Sequence, residues 1–196
     1  MEIRTAKTAG FCYGVQRAVD MVEAAIAEGN RKIYTYGPIV HNDLVVGRLR
    51  QQGVEVIEDY ETLCRMARQG QLRDAVVVIR AHGVGNEVYE LLSAPETGAL
   101  VADATCPYVR KIHKIVREHY EKGERLLITG SGKHPEVVGI LGQIGGDALV
   151  IETPEEAEKL DFDKNCRICL VSQTTFSAQK FEDVVAILKK KQYNMD

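Results

Sequence analysis

Two cysteines and three histidines of the 196-residue chain stand where their types and spacing suit chemistry. Cys12 lies in Gly10-Phe11-Cys12-Tyr13-Gly14-Val15 and Cys106 in Asp103-Ala104-Thr105-Cys106-Pro107, each just ahead of a helical apolar pattern. A helix N-terminus favours thiolate, the form that binds metal or attacks an electrophile. One such cysteine alone reads as packing; a pair at matching positions reads as ligands. Two thiolates do not complete a site. An iron–sulfur cluster takes four cysteines, or three with one iron left open, and zinc takes four ligands, or three plus water. His41, His82 and His134 each follow a strand-like segment, with no lysine- or arginine-rich loop beside them. Their N–H groups suit an anion such as phosphate. His134-Pro135-Glu136 adds a carboxyl. Beside an open metal site Glu136 delivers protons; as a solvated first-turn residue it only steadies a helix. Thr174 and Thr175 either cap the next helix or bind a substrate alcohol.

The elements that position these groups are legible as a repeat. Cys12 and Cys106 are 94 residues apart, and reading forward from each aligns Val15 with Val109, Val22 with Val116 and Gly29 with Gly123. Val15, Val19, Val22 and Ile26 in one copy, and Val109, Ile112, Val116 and Tyr120 in the other, have helical spacing. A glycine closes each helix. Strands Lys32–Thr35 and Arg125–Thr129 follow, then a glycine, then His41 or His134, 29 and 28 residues after the cysteine. Both histidines open a His-x-acid triplet that leads into Val-Val-Gly, at 45–47 and 137–139. Strands Ala75–Ile79 and Ile168–Val171 end in Arg80-Ala81-His82-Gly83-Val84 and Ser172-Gln173-Thr174-Thr175. Alternating strands and helices predict an α/β fold of two pseudo-repeated lobes, each a small, mainly parallel sheet flanked by helices. The expected boundaries are 1–12 for an N-terminal strand and cysteine turn, 13–104 and 105–192 for the lobes, and 193–196 for a tail. Tyr60–Leu72 reads as an extra helix and loop in the first lobe. Ligands bind beyond the carboxyl ends of parallel strands, where these residues fall.

Composition narrows the field. Hydrophobic residues make up 45%, charged residues 27%, and net charge is −3, which describes a globular chain without a basic nucleic-acid surface. No apolar run reaches the ~18 residues that span a bilayer, and the N-terminus has no signal-peptide pattern. A cytoplasmic protein is expected, with reduced cysteines. Cys166-Arg167-Ile168-Cys169 is formally C-x-x-C, and a thiol-redox or zinc protein built on Cys166 and Cys169 is one alternative. A two-lobed anion- or metal-binding module without catalysis is another. His119 is expected to face solvent, and His113 to be a partly buried helix residue or a neighbour of a site group.

Taken together, these strings resemble the 4-hydroxy-3-methylbut-2-enyl diphosphate reductase family of the methylerythritol phosphate route to isoprenoids. The resemblance rests on residues 10–18, 37–42, 80–84, 103–107, 132–136 and 172–175, in order along the chain. It implies a three-lobed α/β oxidoreductase around one 4Fe-4S cluster held by three cysteines, its open iron taking the substrate alcohol. By motif match Cys12 and Cys106 are the metal ligands. His41, His82 and His134 bind the substrate diphosphate, Glu136 is catalytic in relaying protons, and Thr174 positions the substrate hydroxyl and Glu136. Ferredoxin or flavodoxin is the implied electron donor; neither nucleic acid nor membrane is an implied partner. The family's third lobe brings a third cysteine and a Ser-x-Asn stretch, which residues 1–196 do not contain. The chain is thus expected to be the first two lobes, holding its cluster weakly and turning over little. Adding one repeat length to Cys106 puts the third cysteine near ~200.

Overall fold

The structure, a computed structural model, describes Ile3, Arg4, Ala6 and residues 9–195. Contacts divide the chain into two compact units: Met1–Ala81 with Leu91–Cys106, and His82–Glu90 with Pro107–Asp196.

The first unit's sheet contains β1 (Ile33–Tyr36), β2 (Val54–Ile57), β3 (Val76–Ile79) and β4 (Leu100–Asp103), in the order β2-β1-β3-β4 and parallel throughout. Its helices are α1 (Tyr13–Glu28), α2 (Asp43–Gln51) and α3 (Tyr60–Arg68), and α4 (Asn86–Ser93) is divided, its residues to Glu90 grouping with the second unit and those from Leu91 with the first. The second unit's sheet contains β5 (Arg125–Thr129), β6 (Leu149–Ile151), β7 (Arg167–Ser172) and β8 (Asn194–Met195), in the order β6-β5-β7-β8, again parallel. Helices α5 (Pro107–Glu121), α6 (Pro135–Leu141), α7 (Pro154–Lys159) and α8 (Ala178–Lys190) complete it. The two sheets therefore share one topology, as the repeat predicts.

Local chemistry sets these elements. Strand β3 is a run of Val-Val-Val-Ile buried throughout, as suits a parallel strand covered on both faces. Gly29 closes α1 in the left-handed region, with φ 69°. Asn42 caps α2, its side chain accepting from the backbone N–H groups of Leu44 and Val45. Helix α1 packs on β1 and β3 through Ala18, Val19 and Val22, which join Ile33, Val76 and Val78 in one core cluster. In the second unit Val116, Val137 and Ile140 cover one sheet face with Leu126 and Ile128. Val184, Leu188 and Ala157 cover the other with Leu127 and Ile168.

Four expectations need correction. The second unit carries α7 at the place in its order that α3 holds in the first, so the helix at Tyr60 is part of the repeat and not an addition. Residues 193–196 are not a tail: Tyr193 is buried, its hydroxyl donates to the Leu160 carbonyl at 3.1 Å, and Asn194 and Met195 pair with Arg167 and Ile168. The boundary between units falls after Cys106 and not after Ala104, and 82–90 groups with the second unit. That segment is held there by Gln143, whose side-chain amide donates to the Val84 carbonyl at 2.6 Å. Of the expected N-terminal strand and turn at 1–12, residues 1, 2, 5, 7 and 8 lie outside the described residues, and the described ones form no strand.

Register makes the repeat exact at one place. Tyr36 pairs with Ile79 at the ends of β1 and β3, and Thr129 with Ser172 at the ends of β5 and β7. The next residues, Gly37 with Arg80 and Gly130 with Gln173, are therefore equivalent. In each sheet they mark where strand order reverses, the usual ligand position of an open parallel sheet.

Candidate active site

In the first unit Cys12 is the N-cap of α1, with extended backbone (φ −64°, ψ 161°) and no capping hydrogen bond from its side chain. Its thiol is exposed and uncommitted to a disulfide. Cys106 immediately precedes α5 and is half-buried. Its N–H donates to the Ala81 carbonyl at 2.9 Å. A Cβ built on Gly14 would lie 2.7 Å from Cys106 Sγ, so the sulfur fills space that only glycine leaves. Two free thiols of one unit, one at a helix N-cap and one in a cradle cut for its sulfur, are the soft donors that suit iron or an iron–sulfur cluster.

His41 is exposed, in the loop between Gly37 and the Asn42 cap. At the same strand ends Arg80 folds against Gly37. A Cβ there would overlap the guanidinium, 2.9 Å from Cζ, and φ is +70°. Arg80 Cζ lies 6.0 Å from the centre of the Tyr36 ring. Its Nε is buried without a hydrogen bond, and burial holds the guanidinium below the usual arginine range, Tyr36 partly offsetting this. Neither Arg80 nor Gly14 was singled out by spacing. The signal available was glycine at a strand end and glycine inside a helix.

The second unit gathers the rest. His134 caps α6: its Nδ1 accepts from the Glu136 N–H at 3.1 Å. In the neutral ring the proton then sits on Nε2, which makes that nitrogen a donor. The His82 and His134 rings meet edge to face, centroids 5.3 Å apart at 84°. Three residues hold the His82 loop on α6. A Cβ on Gly139 would meet Gly83 C and O and Val84 N at 3.3 Å, and one on Gly142 would meet Gly85 Cα at 2.6 Å. Gln143 adds the bond to Val84. These supports were not foreseen, because they pair residues more than 50 positions apart.

Glu136 is 2% exposed, which removes the solvated first-turn reading. Its Oε1 accepts from the Thr174 N–H at 2.6 Å, and its Oε2 lies 2.8 Å from Thr174 Oγ1. Thr174 does not cap the next helix and neither does Thr175; Ser177 does, accepting from the Lys180 N–H. Thr175 Oγ1 instead accepts from Gln173 Nε2 at 2.7 Å. Gln173 Oε1 accepts from the Ser131 N–H at 3.1 Å, so Gln173 ties together the loops after β5 and β7.

Other expectations change. Cys169 packs in the cluster containing Val116 and Ile140, whereas Cys166 packs against the one containing Val184 and Leu188. The two thiols lie on opposite faces of the sheet, so the paired redox or zinc reading fails. His119 does not face solvent. Its side chain is 12% exposed and its Nδ1 lies 2.6 Å from Glu124 Oε2. That hydrogen bond, more than the opposing burial, holds the Glu124 carboxyl below the usual range. His113 is buried.

Comparison with known proteins gives the family of the chain. The family model described as LytB protein matches residues 3–196. The chain belongs to the LytB protein family. Its relatives include a 4-hydroxy-3-methylbut-2-enyl diphosphate reductase of Clostridioides difficile (strain 630), 35% identical over 97% of this chain and 65% of the relative. Another, from Caldanaerobacter subterraneus subsp. tengcongensis, is 39% identical over 97% of this chain and 63% of its own length. A solved structure of the E-1-hydroxy-2-methyl-but-2-enyl-4-diphosphate reductase from Plasmodium falciparum has a TM-score of 0.83 at 29% identity, over 97% of this chain and 57% of that one. The chain thus spans just under two thirds of the length of these two curated relatives. Among its described residues no helix is long and apolar enough to cross a membrane.

Proposed function

We propose that this chain supplies two lobes of a cytoplasmic reductase acting on 4-hydroxy-3-methylbut-2-enyl diphosphate. The reaction breaks the allylic carbon–oxygen bond. The hydroxyl leaves as water with one proton, and the carbon skeleton takes two electrons and a second proton to give isopentenyl or dimethylallyl diphosphate. Ferredoxin or flavodoxin supplies the electrons. Cys12 and Cys106 would hold a 4Fe-4S cluster, which when bound supplies electron storage and an open iron for the alcohol. Support for this pair is the free thiol at the α1 N-cap and the glycine cradle at Cys106.

The observation that carries the catalytic reading is the buried Glu136 carboxyl bonded at both oxygens to Thr174. A threonine hydroxyl both donates and accepts. It donates to ionised Oε2, and it accepts from Oε2–H when the carboxyl is protonated. The 2.8 Å contact therefore survives either state, which suits a group that must hold a proton and release it without moving. Thr174 orients Glu136 and offers the same hydroxyl to the substrate alcohol.

His41, His82 and His134 bind the diphosphate. His134 has its N–H fixed on Nε2 by the bond at Nδ1, and His82 stands at its edge. His41 occupies the equivalent loop of the repeat.

The test is anaerobic reconstitution with iron and sulfide of the family-length protein carrying this sequence. It is then given the allylic diphosphate and a reduced ferredoxin or flavodoxin. Isopentenyl and dimethylallyl diphosphates are the expected products. Absence of both, with substrate failing to bind the chain, would overturn the proposal.

A further inference from the structure

We propose that Gly14 and Arg17 are positioning residues through which α1 fixes Cys106 relative to Cys12. The inference rests on the reading of these cysteines as cluster ligands.

Gly14 is buried inside α1. It does not have a positive φ, so backbone freedom does not explain a residue that weakens helices. Space does. A Cβ at Gly14 would lie 2.7 Å from Cys106 Sγ and 3.1 Å from Cys106 Cβ. Any larger residue displaces the thiol from this rotamer.

Arg17, one turn further along the same helix, donates from Nη2 to the Asp103 carbonyl at 3.1 Å and from Nη1 to the Thr105 carbonyl at 3.4 Å. Its guanidinium thus spans the turn that leads from β4 to Cys106. Within that turn Asp103 Oδ1 accepts from the Thr105 N–H at 2.9 Å. Charged planar donors in a fixed fork suit two carbonyls two residues apart; a lysine reaches one at a time.

Helix α1 therefore carries Cys12 at its cap, the cradle for Cys106 two residues later and the clamp on the Cys106 turn five residues later. A thiol pair must be held within ~0.5 Å of its working geometry to bind a metal well. One rigid helix does this for both members.

The experiment uses the family-length protein carrying this sequence, with Gly14→Ala, Arg17→Met and Arg17→Lys. Iodoacetamide labelling of Cys12 and Cys106 is followed by peptide mass spectrometry, beside iron bound after anaerobic reconstitution and thermal melting. Arg17→Met should raise the Cys106 labelling rate on the order of tenfold, the worth of one charge-assisted hydrogen bond lost from the closed turn. Cys12 labelling should hold, and Arg17→Lys should recover part of the effect. Gly14→Ala should change Cys106 labelling alone and weaken iron binding ~10–100-fold, as loss of a ligand's support does. Unchanged Cys106 labelling and iron in both Gly14→Ala and Arg17→Met would overturn the proposal. So would equal rises at Cys12 and Cys106, which would mean general loosening. A Cys106→Ala chain separates the two readings. If it binds as much iron as the parent, the ligand assignment fails, and the labelling data still decide whether Gly14 and Arg17 position Cys106.

Discussion

Glu136 and Thr174 permit a comparison in which two small changes part stability from chemistry. In Glu136→Gln the amide oxygen still accepts the Thr174 N–H now held at 2.6 Å. The amide nitrogen donates to Thr174 Oγ1, now 2.8 Å from the carboxylate. Both contacts survive because the hydroxyl can accept. The variant should melt within ~2 °C of the parent, since intact hydrogen bonds leave little free energy to lose. In Thr174→Val the volume is kept, but Oε2 of a carboxyl only 2% exposed loses its partner. A hydrogen bond to a charged group is worth about 1.5–3 kcal/mol. At ~2–4 °C per kcal/mol for a chain of this size, melting should fall by about 3–12 °C. Turnover should show the other order. Glu136→Gln cannot pass a proton and should lose ~10²–10⁴ in rate with substrate binding kept. Scanning fluorimetry on the chain reads the first effect, and anaerobic single-turnover assays on the family-length protein read the second. Equal destabilisation by the two substitutions would refute the hydroxyl's double role. Near-normal single turnover in Glu136→Gln would refute the proton relay.

Gly142→Ala forces a Cβ within 2.6 Å of Gly85 Cα; overpacking against backbone should cost ~1–3 kcal/mol in melting and weaken pyrophosphate binding measured by calorimetry. Gly139→Ala, with contacts at 3.3 Å, should do the same to a smaller degree. Cys169→Ser places a hydroxyl in an apolar cluster and should cost ~1–3 kcal/mol in denaturant titration, whereas Cys166→Ser should cost less; neither should change iron bound on reconstitution. Because His119 lowers the Glu124 pKa in the folded chain, Glu124 contributes stability above the ordinary carboxyl value of about 4.5, and loses it as pH falls through the lowered folded value. The melting difference between parent and Glu124→Gln should therefore shrink toward acid pH; a gap that widens there would count against the assignment.

The repeated cysteine–helix–strand–glycine–histidine string carried the topology, because strand order in parallel sheets follows from equivalent units. Periodicity also placed α1 and α5 to within a residue or two. It could not separate α3 as repeat from α3 as insertion, because α7 has six residues and a Pro-Glu-Glu start that shows little apolar period. Candidate donors were legible where they recur at matching repeat positions, as with a cysteine ahead of each of two helices. Chemistry was not legible where a side chain acts on distant backbone. Arg17 on the Cys106 turn and Gln143 on Val84 have no local pattern to betray them. The alternative built on Cys166-x-x-Cys169 fails for a different reason: Cys166 just ahead of β7 and Cys169 within it pack in different core clusters.

The repeated strand ends show how one backbone solution carries two chemistries. Gly37 and Gly130 both leave room for the first residue after the neighbouring strand, Arg80 in one unit and Gln173 in the other. Gln173 spends its amide on Ser131 N–H and Thr175 Oγ1, and so sets the hydroxyl-bearing loop against Glu136. Its Oε1 and Nε2 are matched to one donor and one acceptor, which makes the loop stiff. Arg80 stands at the same place with a buried Nε that has no hydrogen bond and a charge that burial disfavours. A glutamine there closes a neutral network. An arginine instead leaves positive charge at the end of the strand next to the His41 loop, where the sheet topology directs ligands. The acid-bearing unit thus has at this place a side chain matched at both polar ends, and the cysteine-bearing unit has a buried guanidinium whose Nε has no hydrogen bond.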